Sequence, residues 1–170
     1  MKKLLFLLFF ACLPCFATEI SVAFSPDNGA QELVLETIRS AQSNIRMAAY
    51  SFTCPKVMRE LLNAKKRGVD VRIVIDEKGN RSRASRAAMN LAVNAGILLR
   101  VTSAYRIHHD KYVVIDDKTV ETGSYNYSRS AAEGNSENVV VIKDDPEVAQ
   151  QYLKHWQSRW DQGTDWQSEY

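Results

Sequence analysis

The 170-residue sequence predicts an α/β fold: a mixed, mostly parallel β-sheet flanked by helices on both faces. Two observations carry this. From Ile20 to Val101, short β-branched runs alternate with segments whose apolar residues recur at helical spacing, the β-α-β order that pairs strands in parallel beneath covering helices. After Ser103 the rhythm changes. Residues 112–115 and 119–122 are separated only by Asp116-Asp117-Lys118, which is short enough to pair them as an antiparallel hairpin.

The elements follow in order. Residues 20–24 form a first strand, and residues 31–41 a helix with Leu33, Ile38 and their neighbours at helical spacing. A second strand spans 45–52. Pro55, whose fixed φ suits the first helical position, opens a helix ending near Gly68 with Val57, Leu61 and Leu62 facing inward. Residues 69–75 are strongly β-branched and make a third strand, followed by a helix over 82–94 that stops at Gly96 and a strand over 97–101. Beyond the hairpin, residues 139–142 supply one more strand. Asp144-Asp145-Pro146 then caps a final helix in which Tyr152, Trp156 and Trp160 recur every fourth residue, a stripe suited to a core or a subunit interface.

The first 17 residues stand apart. Lys2 and Lys3 precede the apolar run 4–10, and Cys15-Phe16-Ala17 has the small-x-Ala form of a cleavage site, so residues 1–17 read as a signal peptide. The run is shorter than the ~20 apolar residues needed to span a bilayer. Residues 18–170 are then expected to be one exported domain, periplasmic or secreted, without stable membrane association. Of 22 basic and 20 acidic residues the leader holds two lysines and no acid, so the remainder is neutral and global charge cannot steer it to a polyanion. Any such affinity must come from a local patch, for which Arg81, Arg83 and Arg86, with Lys78, are the candidates. Cys54 is the one cysteine beyond the leader, which excludes an intrachain disulfide there.

Chemistry concentrates on the hairpin. Strand alternation puts His109 and Lys111 on one face and His108, Asp110 and Tyr112 on the other. Asp116 begins the turn, where its role is to accept hydrogen bonds at the hairpin end. Gly123 permits close backbone approach, and Ser124 and Asn126, two apart, return to one side beyond the second strand. Lysine supplies charge and three donors, asparagine a neutral donor, and histidine a nucleophile or proton carrier near neutral pH. Such a set suits a phosphodiester without any metal or cofactor. His155, beside Lys154, has no ligand-spaced partner and is expected at the surface.

His109, Lys111, Asp116, Gly123, Ser124 and Asn126 fit H-x-K-x4-D-x6-G-S-x-N, and this resembles the signature of the phospholipase D superfamily. Element order and length resemble its small bacterial single-motif nucleases. The resemblance implies attack by His109 on phosphorus to give a phosphohistidine, with Lys111, Asn126, Ser124, Asp116 and Glu137 completing the site and Glu137 orienting the imidazole. With one motif per chain, it also implies a homodimer whose two hairpins share one site on single- or double-stranded DNA and on RNA. The same signature serves phosphatidyl transfer and lipid hydrolysis, so a lipid phosphodiester is the alternative substrate. A metal-dependent site from His108, His109, Asp110, Asp116 and Asp117 is a further alternative, which strand parity disfavours.

Overall fold

A computed structural model describes residues 18–26 and 29–168, so the signal-peptide reading of residues 1–17 lies outside the described residues. The strands are β1 (Glu19–Ser25), β2 (Asn44–Ala49), β3 (Asp70–Asp76), β4 (Leu98–Thr102), β5 (Lys111–Ile115), β6 (Thr119–Gly123), β7 (Glu137–Lys143) and the short β8 (Thr164–Asp165). The helices are α1 (Gly29–Ser40), α2 (Pro55–Lys66), α3 (Arg83–Asn94), α4 (Arg129–Glu133) and α5 (Pro146–Asp161). One eight-stranded sheet has the order β1-β7-β6-β5-β2-β3-β4-β8.

The sheet is mixed, as expected, but it is not mostly parallel. Only the β2–β3 and β3–β4 pairings are parallel; β1–β7, β7–β6, β6–β5, β5–β2 and β4–β8 are antiparallel. The cause is insertion. β1 and β2 run the same way, yet the hairpin β5–β6 and then β7 stand between them, each antiparallel to its neighbours. Only β5–β6 owes this to a hairpin connection, and the others pair segments distant in the chain.

Alternation along the strands builds two cores. Val113 and Ile115 of β5 join Ile45, Met47, Ile73 and Ile75 beneath α1, α2 and α3, whereas Tyr112 and Val114 face α5 with Val74, Trp156 and Trp160. The aromatic stripe of α5 is therefore core. Trp156 Nε1 donates to the Met47 carbonyl at 2.9 Å, and the two indoles stack at 5.0 Å. α5 does not reach the sheet edge: Ile20, Val22 and Phe24 of β1 are 64, 54 and 63% exposed. Among the described residues no helix is long and apolar enough to cross a membrane.

The far end of the hairpin is tied down by Asp116. Its carboxylate accepts from the backbone N–H groups of Gln42 (2.9 Å), Ser43 (2.8 Å) and Asn44 (3.0 Å) and from the Ser43 hydroxyl (2.8 Å), fixing the α1–β2 connection. Burial pushes this carboxyl up, but the Asn44, Ser43 and Gln42 N–H donors outweigh it, and the net displacement is downward. Asp116→Ala is expected to cost about 1–3 kcal/mol at neutral pH. Because the folded-state value is depressed, that difference should shrink as pH falls through it, which urea melts at pH 7 and pH 3 would read out.

Candidate active site

The carboxyl ends of β2, β3, β4 and β6 and the amino ends of β5 and β7 all lie along one edge of the sheet. Loops there are held by buried polar side chains. Asp76, closing β3, accepts from Gly79 N at 2.6 Å and from His108 N at 2.7 Å, so one carboxylate joins a 3-10 turn (Lys78–Asn80) to the approach to β5. Asn80 donates to the Tyr50 carbonyl at 2.6 Å and accepts from Phe52 N at 3.1 Å. Glycine is needed at position 79, where a Cβ would come within 2.8 Å of the Tyr50 ring.

Tyr50 is thereby presented to the hairpin. The exposed His109 ring lies against it with centroids 4.6 Å apart, and Lys111 Nζ sits 5.4 Å from the same ring centroid while donating to the His109 carbonyl at 2.8 Å. His109 is exposed and the adjacent His108 only 2% exposed, although β5 begins at Lys111 and neither histidine stands on the strand whose alternation would part them. Burial pulls the Lys111 ammonium below its ordinary pKa, and the charges of Asp110 and Glu137 only partly offset this. A desolvated, under-compensated cation gains most from an incoming anion.

Across the ladder, Gly123 lets the chain close on β7: a Cβ there would collide with the Asn138 carbonyl oxygen. Ser124 Oγ donates to Glu137 Oε2 at 2.5 Å and accepts from Asn138 N at 3.1 Å, and Asn135 Nδ2 donates to Glu137 Oε1 at 2.8 Å. Both Glu137 oxygens are therefore engaged by Ser124 and Asn135, rather than by His109. The carboxamide of Asn126 is half-buried, and its buried Oδ1, an acceptor, has no protein partner. A cleft of about 450 Å³, lined by His109, Lys111, Gly123, Gln151, Tyr152 and His155 among others, opens beside these groups.

Two expectations are corrected. Asp116 is at the opposite end of β5, about 17 Å from Lys111 by strand geometry, and belongs to the scaffold rather than the catalytic set. His155 is not a free surface residue: its Nε2 lies 2.9 Å from Asp110 Oδ2, and it lines the cleft. Arg81 follows β3 at the same edge as the site and makes an exposed ion pair with Glu77 at 2.9 Å. Asp76, Asn80 and Tyr50 escape sequence reasoning because their roles depend on backbone groups distant in the chain. The one local signal is an aspartate ending a β-branched run.

Residues 34–160 match a family model described as cardiolipin synthase, PLD-like domain. The chain belongs to the phospholipase D superfamily. It is similar to the phospholipase D of Rickettsia conorii, 33% identical over 142 residues covering 84% of this chain and 70% of that protein. The mitochondrial cardiolipin hydrolase of Danio rerio is 29% identical, with 88% and 63% covered respectively. Among solved structures, the phospholipase D family member Nuc from Salmonella typhimurium superposes with a TM-score of 0.89 at 53% identity, covering 89% of this chain and all of that one. Phospholipase D superfamily membership makes the protein a phosphodiesterase, a hydrolase of ester bonds.

Proposed function

We propose that the protein is an exported endonuclease that needs no metal, hydrolysing DNA and RNA without sequence preference through a phosphohistidine in a homodimeric site. The observation that carries this is the desolvated Lys111 ammonium held beside the exposed His109 at the mouth of an open cleft. Lys111 and Asn126 would bind the non-bridging oxygens while an imidazole nitrogen of His109 forms the P–N bond and the P–O bond to the leaving group breaks. That oxygen takes a proton from the His109 of a second copy. The same imidazole then deprotonates the water that cleaves the P–N bond and restores the nucleophile. Glu137, gripped by Ser124 and Asn135, supplies negative charge that acts on the Lys111 ammonium.

The dimer reading rests on the single motif and on the apolar face left bare at the sheet edge. Ile20, Val22 and Phe24 stand beside Val140 and Ile142, and the strip runs to the end of β7 that carries Glu137. Similarity to Nuc over nearly the whole chain supports a nuclease. The names phospholipase D and cardiolipin hydrolase among the relatives support the second reading, a lipid phosphodiester. Plasmid DNA and vesicles of phosphatidylcholine with cardiolipin, assayed side by side in EDTA, separate the two. Nicking with intact lipid is expected; phosphatidic acid release with intact plasmid would reverse the assignment. Size-exclusion chromatography should give a dimer, and a fully active monomer would refute the shared site.

For substrate binding we assign a phosphate-contacting role to Arg81, Arg83 and Arg86, on the turn and helix that follow β3. Replacing all three with alanine is expected to weaken DNA binding equally across sequences and to lower the salt slope by about one for each phosphate no longer neutralised. An unchanged slope in filter binding from 50 to 200 mM salt would remove them from the interface.

A further inference from the structure

The proposed nucleophile does not stand on a strand. β5 begins at Lys111, and the segment from Ser103 to Asp110 that carries His109 has no sheet pairing to hold it. Two outside anchors do so instead. One is Asp76, which accepts from His108 N. The other is α5. Asp110 Oδ2 lies 2.9 Å from His155 Nε2 and 4.0 Å from Arg159 Nε, Arg159 also covers the Tyr105 ring at 4.5 Å, and Tyr105 donates to Gln162 at 2.7 Å. On its other side Asp110 meets the buried His108, whose Nε2 is 3.1 Å away but out of hydrogen-bond alignment.

His109 is therefore centred in a tripeptide pinned on both flanks. We propose that His155 is a positioning residue: through Asp110 it splints the segment carrying His109 to α5 and so sets the nucleophile's orientation toward phosphorus. The inference rests on the phosphodiesterase reading of the site. Its physical basis is that a carboxylate faced by two imidazoles and a guanidinium remains ionised at working pH, and Asp110 is accordingly held far below its ordinary pKa, chiefly by His108, against the opposing effect of burial. A charged acceptor makes the hydrogen bond from His155 a strong one. Tyr112, whose ring centroid is 6.0 Å from that of His155, packs beneath the pair without supplying an ionic partner. Losing the splint leaves Lys111 and Asn126 in place, so binding should survive while attack geometry degrades.

Turnover of bis(p-nitrophenyl) phosphate by the wild type, His155→Ala and His155→Gln tests this. His155→Ala is expected to lower kcat about tenfold with KM within about twofold, since small misplacements of a reacting group are costly in rate. His155→Gln, which still offers Asp110 a donor, should recover most of the loss. A loss confined to KM, an unchanged kcat, or no recovery with glutamine would each overturn the positioning role. A wild type without turnover would sink the phosphodiesterase reading instead. The splint is then read without catalysis, from the His109 ring proton resonances, which Tyr50 displaces by its ring current. In His155→Ala they should move toward free-histidine values, and unmoved resonances would refute the inference.

Discussion

Plasmid cleavage in EDTA is expected to fall by about 10⁴-fold or more in His109→Asn, the scale seen when a covalent nucleophile is removed. The substitution isolates chemistry from folding. His109 is exposed, precedes β5, and touches the remainder mainly through the Tyr50 ring, so its loss should change stability by less than about 1 kcal/mol. Lys111 differs, because it is buried and bridges to the His109 carbonyl; Lys111→Ala would confound rate with local geometry. If His109→Asn keeps more than about one per cent of wild-type rate, covalent catalysis by this residue is wrong. Cleavage surviving in EDTA for the wild type alone is the combination expected of an imidazole nucleophile.

Wild-type stability should decline as pH rises from about 4.5 to 8, and Glu121→Gln should abolish that decline. Glu121 sits on β6 between Val113 and Val141, 1% exposed; Oε2 accepts from Tyr127 Oη at 2.7 Å, and Oε1 has no partner. Burial raises its pKa from 4.5 to about 8, the Tyr127 hydrogen bond opposing only weakly. Below 4.5 both folded and unfolded chains hold the proton, and the carboxyl costs nothing. Between the two values the unfolded chain ionises while the folded one stays protonated, so stability is lost at up to about 1.4 kcal/mol per pH unit. Above 8 both are ionised and the penalty is constant, a few kcal/mol in all. Urea midpoints from pH 5 to 9 test this: the curves of the two proteins should diverge as pH rises, and parallel curves would show that Glu121 is not protonated in the fold.

Much of the fold is legible in the sequence because its cause is local. Pro55 opens α2, the β-branched run before Asp76 is a strand, and the short Asp116-Asp117-Lys118 link allows only a hairpin. His108 is buried and His109 exposed, but period-two alternation is not the reason, because both precede β5 in a segment without sheet pairing. What is not legible shares another cause. The position of β1 depends on β7, whose pairing with Glu19–Ser25 no local pattern announces, and so the proportion of parallel strands cannot be read from element order. His155 looks solvated beside Lys154 because its partner Asp110 belongs to a different element. Glu137 does lie at the site edge, but its hydrogen bonds to Ser124 and Asn135 depend on how β6 and β7 pair.

The long-range pairing of the central strands also bears on when activity can arise. Lys111 meets Ala49 only through the β2–β5 register, and Glu137 reaches the site edge only through β6 and β1. Closing such distant segments is slow and entropically costly, and it gives no partial version of the site on the way. A chain still being synthesised, or one trapped with its sheet unfinished, possesses His109 but neither its Tyr50 rest nor its Asp110 splint. The phosphodiesterase site is therefore assembled only with the last long-range contacts.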